Sequence, residues 1–362
     1  MLVTITARLI GETMPYSATV HGTFRFPFRA GKVILWQVAA LAVLAVVPPL
    51  NGVGIAVLVF AVLIVAMTSV RVGGLCGYEW AGHYVRYLRR KAGGFAETPL
   101  RALWPELHVH THVDRAGNRV GIVSIGKQAC YSAVLRVVPP AGMAPQVLVS
   151  VLREAFARTD IRLASAQLVV WAMPGAQAPV RMHWFALHYR AEDMPAAAQA
   201  RGDGEVGARK ATAVAALRLA GTLSGIGCAT TVLDTAELYQ ELLVALGSQR
   251  DARGPHRAVE TWRDFTVGRQ RQVSFVPENR ADPATVLGRC VPWAAFTCTS
   301  YTVDRTALDE VRARSVVRVG LRPGVSTPSP ASVSAGLGVR LVGVNGRQGE
   351  HVLGTVPLAL SR

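Results

Sequence analysis

The stretch VILWQVAALAVLAVVPPLNGVGIAVLVFAVLIVAMTSV, residues 33–70, has no charged side chain, and Lys32 and Arg71 close it on either side. As one helix these thirty-eight residues would run about 57 Å at ~1.5 Å per residue. A bilayer's hydrocarbon core is about 30 Å thick and takes roughly 20 residues. Pro48-Pro49-Leu50-Asn51-Gly52 breaks the run, because adjacent prolines lack amide protons and their rings clash with preceding carbonyls. The stretch therefore reads as a transmembrane helical hairpin with spans 33–47 and 53–70. A hairpin packed on the surface of a soluble domain keeps a polar face, whereas Leu, Val, Ala and Ile occupy every face of both segments.

The flanks predict the orientation. Arg8, Arg25, Arg29 and Lys32 precede the hairpin, Arg71, Arg86, Arg89, Arg90 and Lys91 follow it, and the turn has no charge. Lys/Arg excess beside membrane spans stays cytoplasmic. Both termini and the main domain are thus expected on the cytosolic side of the inner (plasma) membrane, the chain crossing twice. The apolar run starts only at residue 33 and a second span follows it, so a cleaved signal peptide is not expected. Residues 1–32 form a cytosolic arm and 71–91 a basic juxtamembrane helix. On that helix Trp80, Tyr84, Tyr87 and Leu88 share one face, which lies at headgroup level or packs on the protein's own domain.

The net charge is +16. Nine Lys/Arg against Glu12 and Glu79 give residues 1–91 a charge of +7, which suits anionic lipid headgroups. With no Arg/Lys run and no recognisable module beyond residue 91, nucleic acid is not an expected partner. The cysteines 76, 130, 228, 290 and 298 are odd in number and form no C-x-x-C pair, the pattern of reduced thiols.

Beyond residue 92 the pattern is mixed. Leu107, Val109, Thr111 and Val113 alternate with His108, His110 and His112, and Ala116-Gly117-Asn118 turns the chain. With strands at 120–125 and 131–138 this is a β-meander. Helices are predicted at 145–157, 208–223 and 235–246. Strands are predicted at 163–172, 181–189, 228–232, 258–266, 271–275, 293–303 and 315–321. The fold class is α/β: the two-helix hairpin, then a mixed α/β domain over 92–321. Residues 322–338, rich in Gly, Ser and Pro, read as a linker, so that 322–362 holds a linker and short C-terminal strands. No internal repeat is visible.

The motifs that carry chemistry are incomplete. In a strand His108 and His112 stand about 13 Å apart, too far to share one zinc, so the three histidines read as a polar sheet face. Gly121 to Gln128 has phosphate-loop spacing, but Gln128 replaces the hydroxyl residue that holds Mg²⁺. Gly202-Asp203-Gly204-Glu205-Val206-Gly207 fits G-x-G-x-x-G yet does not directly follow a strand, and reads as a helix start. No catalytic, metal or cofactor-binding residue is assigned, no cofactor is expected, and the protein reads as a non-enzyme.

The layout as a whole resembles the EccE family, the E component of the type VII (ESX) secretion complex of actinobacteria. The resemblance rests on Trp80 and the basic segment, on Asp114–Gly121, Ala133–Val137, Trp184–Arg190, the helix with Arg209-Lys210-Ala211-Thr212, Glu260–Phe265, Leu341–Gly346 and Gly354–Leu358. It implies a hexameric inner-membrane assembly with B, C and D components, a non-catalytic structural place in it, and a domain of transferase-like appearance. The rival reading is a membrane-anchored transferase-like enzyme acting on a lipid-linked or nucleotide-linked substrate.

Overall fold

The computed structural model describes residues 36–37, 52–69, 71–72, 75–76, 84–85, 87–88, 95–96, 99–126, 130–248, 256–278, 282–306 and 309–360. The chain forms two compact units, Met1–Trp80 and Ala81–Arg362. In the first, helix α1 (Gly52–Ser69) follows the Pro/Asn/Gly break and has no acidic or basic residue in its end turns. Its side chains are described over 55–66, where Phe60 and Val62 are 66% and 61% exposed and Ala61 is buried. Among the described residues no helix is long and apolar enough to cross a membrane. The arm 1–32, the first span apart from Trp36 and Gln37, and the turn 48–51 lie outside the described residues.

The juxtamembrane reading needs one correction. Leu75–Cys76 (β2) is not helical but pairs antiparallel with Arg71–Val72 (β1). Gly73-Gly74 stands between them, a pair that two-residue hairpin turns favour.

The second unit is built on one sheet. Its strands are β3 (Phe95–Ala96), β4 (Leu107–Val113), β5 (Arg119–Ile125), β6 (Cys130–Val138), β7 (Ser165–Met173), β8 (Val180–Arg190), β9 (Ala229–Val232), β10 (His256–Glu260), β11 (Phe265–Val267), β12 (Gln270–Pro277), β13 (Phe296–Arg305), β14 (Val311–Gly320) and β15 (Leu341–Gly343). The helices are α2 (Pro99–Leu103), α3 (Pro145–Ala157), α4 (Pro195–Gln199), α5 (Gly204–Gly225), α6 (Thr235–Leu246), α7 (Pro283–Val286), α8 (Pro330–Leu337) and α9 (Gln348–Leu353). The strand order is β3-β10-β11-β12-β14-β13-β7-β8-β6-β5-β4, with β9 also on β6 and β15 also on β12. Every described pairing is antiparallel.

Leaving β3 aside, that order is a palindrome. A three-strand meander, a helix, a hairpin, a helix, a short strand and a helix make β4-β5-β6-α3-β7-β8-α5-β9-α6, with α4 inserted before α5. The same succession makes β10-β11-β12-α7-β13-β14-α8-β15-α9. In each half the hairpin's second strand inserts beside the meander's last strand: β8 between β6 and β7, β14 between β12 and β13. In each half the meander's last strand shares its outer side between two partners. β5 takes Tyr131–Ala133 and β9 takes Leu135–Val138; β11 takes Gln270–Gln272 and β15 takes Phe275–Pro277. The chain thus holds an internal repeat, contrary to the sequence expectation. It is hidden because the second copy is abbreviated, α3 being 13 residues against 4 in α7 and α5 being 22 against 8 in α8.

Helices cover both faces. On one, α3 and α5 bury Leu152, Phe156, Ala211 and Leu219 against Leu135, Leu168 and Phe185, and α8 buries Val333 and Leu337 against Phe275 and Val317. On the other, α6 and α9 bury Leu242, Leu246 and Val352 against Val134, Trp184 and Phe296. Three sequence expectations need correction. The expected strand 258–266 is two strands split by a turn at 261–264, where Thr261 N donates to Asp264 O at 2.8 Å. The 322–338 linker contains α8, capped by the Ser329 side chain and held by the burial of its two apolar residues, while 348–353 is helix where a strand was expected.

The middle of the sheet is polar on the α9 face. Gln167 Nε2 donates to Gly354 O at 2.7 Å and Gln167 Oε1 accepts from Ala359 N at 2.9 Å. Ser132 Oγ donates to Leu358 O at 2.7 Å, Ser300 Oγ to Gly354 O at 3.1 Å, and Ser165 Oγ to Ala359 O. The C-terminal segment 354–360 is therefore fastened by side chains from both halves. Behind it lies His188, its Nδ1 2.8 Å from Ser132 Oγ. Burial, and secondarily Arg190, pushes His188 down to about 4.

A histidine depressed in the folded state binds its proton more readily once unfolded, so stability is full above pH 6.5 and falls as pH drops towards 4. For His188 the loss reaches about 3 kcal/mol. Denaturant titrations should show this acid limb, and His188→Asn should lower the proton uptake on unfolding near pH 5 by about one.

Candidate docking platform

The second unit opens with aromatic residues packed on its own sheet edge. Tyr87 is buried and Tyr84 is 42% exposed. Both rings meet Trp262 edge-on at 5.8 Å between centroids, and they lie 6.1 Å from each other. The pair stands i, i+3 in a helical stretch and reaches one partner together. Of the two surroundings the sequence allows for this aromatic face, Tyr84 and Tyr87 take the protein's own domain.

Trp262 occupies the tight β10–β11 turn, and hydrogen bonds hold that turn. Thr261 Oγ1 donates to Asp264 Oδ1 at 2.7 Å, and Thr327 Oγ1 donates to Asp264 Oδ2 at 3.0 Å. Arg271 Nε lies 3.4 Å from the same carboxylate. Glu260, buried at the end of β10, accepts from Gly349 N at 3.1 Å and so caps the start of α9. Gly346 N donates to Trp262 O at 2.8 Å. Gly346 has φ +71, and a Cβ there would strike the indole. Glu260 to Phe265 and Leu341 to Gly346, distant in the sequence, thus form one platform.

Helix α6 is fixed by charge as well as by packing. Buried Glu241 accepts from Trp184 Nε1 at 2.9 Å and from Arg136 at 2.8 Å. Arg136 and Trp184 are register partners on β6 and β8. At the helix's C-terminal end buried Arg318 donates to Ala245 O and, at 2.6 Å, to Gln272 Oε1, and lies 5.4 Å from the Phe296 ring centroid. Its cation sits where the helix dipole is negative.

The motif residues fall elsewhere. His108, His110 and His112 lie on β4 as expected; His110 Nε2 is 3.0 Å from Ser124 Oγ and its Nδ1 is 3.3 Å from Arg209. Among the described residues no group of three or more His, Cys, Asp or Glu could hold a metal. Gly121 is in β5, where its N donates to Leu233 O at 2.7 Å and a Cβ would come 2.7 Å from Asp234 O. Lys127 and Gln128 are outside the described residues. In Gly202–Gly207 helix α5 begins at Gly204 with Asp203 as its cap, and α4, not a strand, precedes it. Cys130, Cys228, Cys290 and Cys298 are free thiols.

The site is a set of packed aromatic, capping and turn contacts on an antiparallel sheet. Residues 178–276, β8 to β12, match the family model described as "Putative type VII ESX secretion system translocon, EccE". The match covers little more than a quarter of the chain and agrees with the resemblance to the EccE family drawn from the sequence. No curated protein matches the chain. The matched segment includes Trp184, Glu241, Glu260 and Trp262.

Replacing Trp262 by Ala should free the 84–88 segment while leaving the sheet folded. Hydrogen exchange at Tyr84–Leu88 is expected to speed up at least tenfold, with the main thermal transition lowered by only a few degrees. Gly346→Ala should act more severely, because a left-handed backbone costs a Cβ-bearing residue roughly 1–2 kcal/mol before the clash with the indole is counted.

Proposed function

We propose that this protein is a non-catalytic structural subunit of the type VII (ESX) inner-membrane complex, needed for its assembly or stability. In this reading residues 33–70 form the two-span anchor, both termini are cytosolic, and the second unit braces the cytosolic face against the B, C and D components. The observation that carries it is the aromatic clasp. Tyr84 and Tyr87 follow the end of the first unit by a few residues and are held on Trp262, so the chain is fixed where the domain begins. The central polar side chains bond to the chain's own C-terminal segment, as a brace requires. The match of residues 178–276 to the EccE family model supports the place in the machine. Small residues let membrane helices approach closely, and Ala42 and Ala56 offer such a seam within the proposed spans.

The test is purification of the full chain in mild detergent from its native membrane, with mass spectrometry of what co-elutes. The unmodified chain should bring the other membrane components. Trp262→Ala, and separately the pair Ala42→Leu with Ala56→Leu, should lower their recovery at least fivefold while the protein stays in the membrane fraction. Undiminished recovery in both would exclude the clasp and the seam as assembly elements, and a chain that purifies alone would overturn the reading. Orientation is tested by a cysteine at Ser334, which should resist an impermeant thiol reagent in intact cells.

A further inference from the structure

The duplicated sheet ends differently at its two borders. Beyond β10 the chain's own β3 continues it, pairing Ala96 with His256 and Phe95 with Arg257. Beyond β4, the outermost meander strand of the first half, no strand follows among the described residues. β4 is seven residues long and contains no Pro, Gly or Lys, the residues with which exposed edges are commonly blunted.

The hairpin shows which backbone groups this edge presents. Asp114 N donates to Asn118 O, and Gly126 N donates to Glu106 O, two pairs in the same register as the β4–β5 ladder. Even-numbered residues of β4 therefore turn their N–H and C=O towards β5, and odd-numbered ones turn theirs away. Leu107 fits, its N–H going outward to Trp104 O at 3.2 Å. Val109, Thr111 and Val113 are left facing the open side.

The side chains beside that edge are sorted by chemistry. On the α6 side Val109 packs against the core, Thr111 Oγ1 is 2.6 Å from Thr235 Oγ1, and Val113 is 55% exposed. On the α5 side stand His108, His110 and His112 with Arg209 and Lys210. Burial first, and then Arg209 for His110 and Lys210 for His112, holds both histidines below the usual range. The acids near them are Glu205 and Asp114, and the Asp114 carboxylate already accepts from Ala116 N, Asn118 N and Asn118 Nδ2.

We propose that the outer edge of β4 accepts an extended segment of a partner chain as a further strand of the sheet, its apolar side chains on the α6 side alternating with carboxylates on the α5 side. Strand addition of this kind draws affinity from main-chain hydrogen bonds and specificity from alternate side chains. The edge is separate from the clasp at Trp262, so the two ideas stand or fall independently.

The probe is a fluorescein-labelled heptapeptide alternating glutamate and valine, titrated by anisotropy against the full chain in mild detergent. Binding should be saturable. Thr111→Pro removes one outward N–H and leaves the bonds to β5 in place, a change an edge strand tolerates; it should weaken binding at least tenfold, whereas Thr111→Ala should keep it. A lysine–valine heptapeptide should bind at least tenfold more weakly, and Arg209→Glu with Lys210→Glu should narrow or reverse that preference. Absence of binding, equal binding to Thr111→Pro, or equal binding of the two peptides overturns the proposal. If Thr111→Pro does not fold, hydrogen exchange on the unmodified chain decides: the glutamate peptide must slow the amides of Val109, Thr111 and Val113, and no slowing overturns it. A dimer of the unliganded chain that Thr111→Pro dissolves would assign the edge to a second copy and overturn it as well.

Discussion

The fold depends on the pairing of β7 with β13, where the two halves of the repeat become one sheet. Eight residue pairs, from Thr297↔Ala172 to Asp304↔Ser165, make that seam. A sheet interior normally buries apolar side chains on each face, yet here Ser165, Gln167, Cys298 and Ser300 point to one side of the join. Their hydrogen bonds to the backbone of 354–360 make the arrangement affordable, since an unsatisfied buried polar group costs about 1–3 kcal/mol. The segment 354–360 therefore completes the middle of the domain. That both halves contribute donors ties their relative placement to the same short segment.

Charge is buried with the same economy. Glu241 is satisfied by one indole and one guanidinium from neighbouring strands. Arg318 finds a glutamine oxygen, a helix C-terminus and an aromatic ring. Both lock α6 on the sheet, one near its middle and one at its end. Removing either partner would leave a charge uncompensated in the interior, a costlier defect than losing an exposed ion pair. The segment that matches the EccE family model holds Trp184, Glu241, Ala245, Gln272 and Trp262, while Arg136, Arg318 and Phe296 reach them from outside it.

Much of the domain was legible from period alone. The alternation at 107–113 became β4, and the apolar spacing at 145–157 and 235–246 became α3 and α6 with the predicted limits. The misses have physical causes. Residues 258–266 alternate as a strand would, but the Thr261–Asp264 bonds close a turn inside them. Residues 330–337 have loop composition, and only burial of Val333 and Leu337 against the sheet makes them a helix. Trp262 lies in one of the motifs that carry the family resemblance, but its packing partners Tyr84 and Tyr87 stand far from it in the sequence and carry no mark of the contact. The repeat escaped because matching register, not matching residues, defines it, and register is a property of paired strands.

The amino-acid sequence by itself determined the uncharged run 33–70 with its break, the basic flanks, the strand and helix types of most of the second unit, and the resemblance to the EccE family. These are local properties, fixed by charge, by period and by residues whose backbone preferences act within a few positions. Tertiary structure alone decided that the two halves share one topology, that the segment 354–360 fills the seam, that the clasp forms on Trp262, and that one sheet border is covered by β3 while no strand among the described residues follows β4. Each of these joins residues far apart in the chain, and only packing brings them within hydrogen-bonding or ring-contact distance.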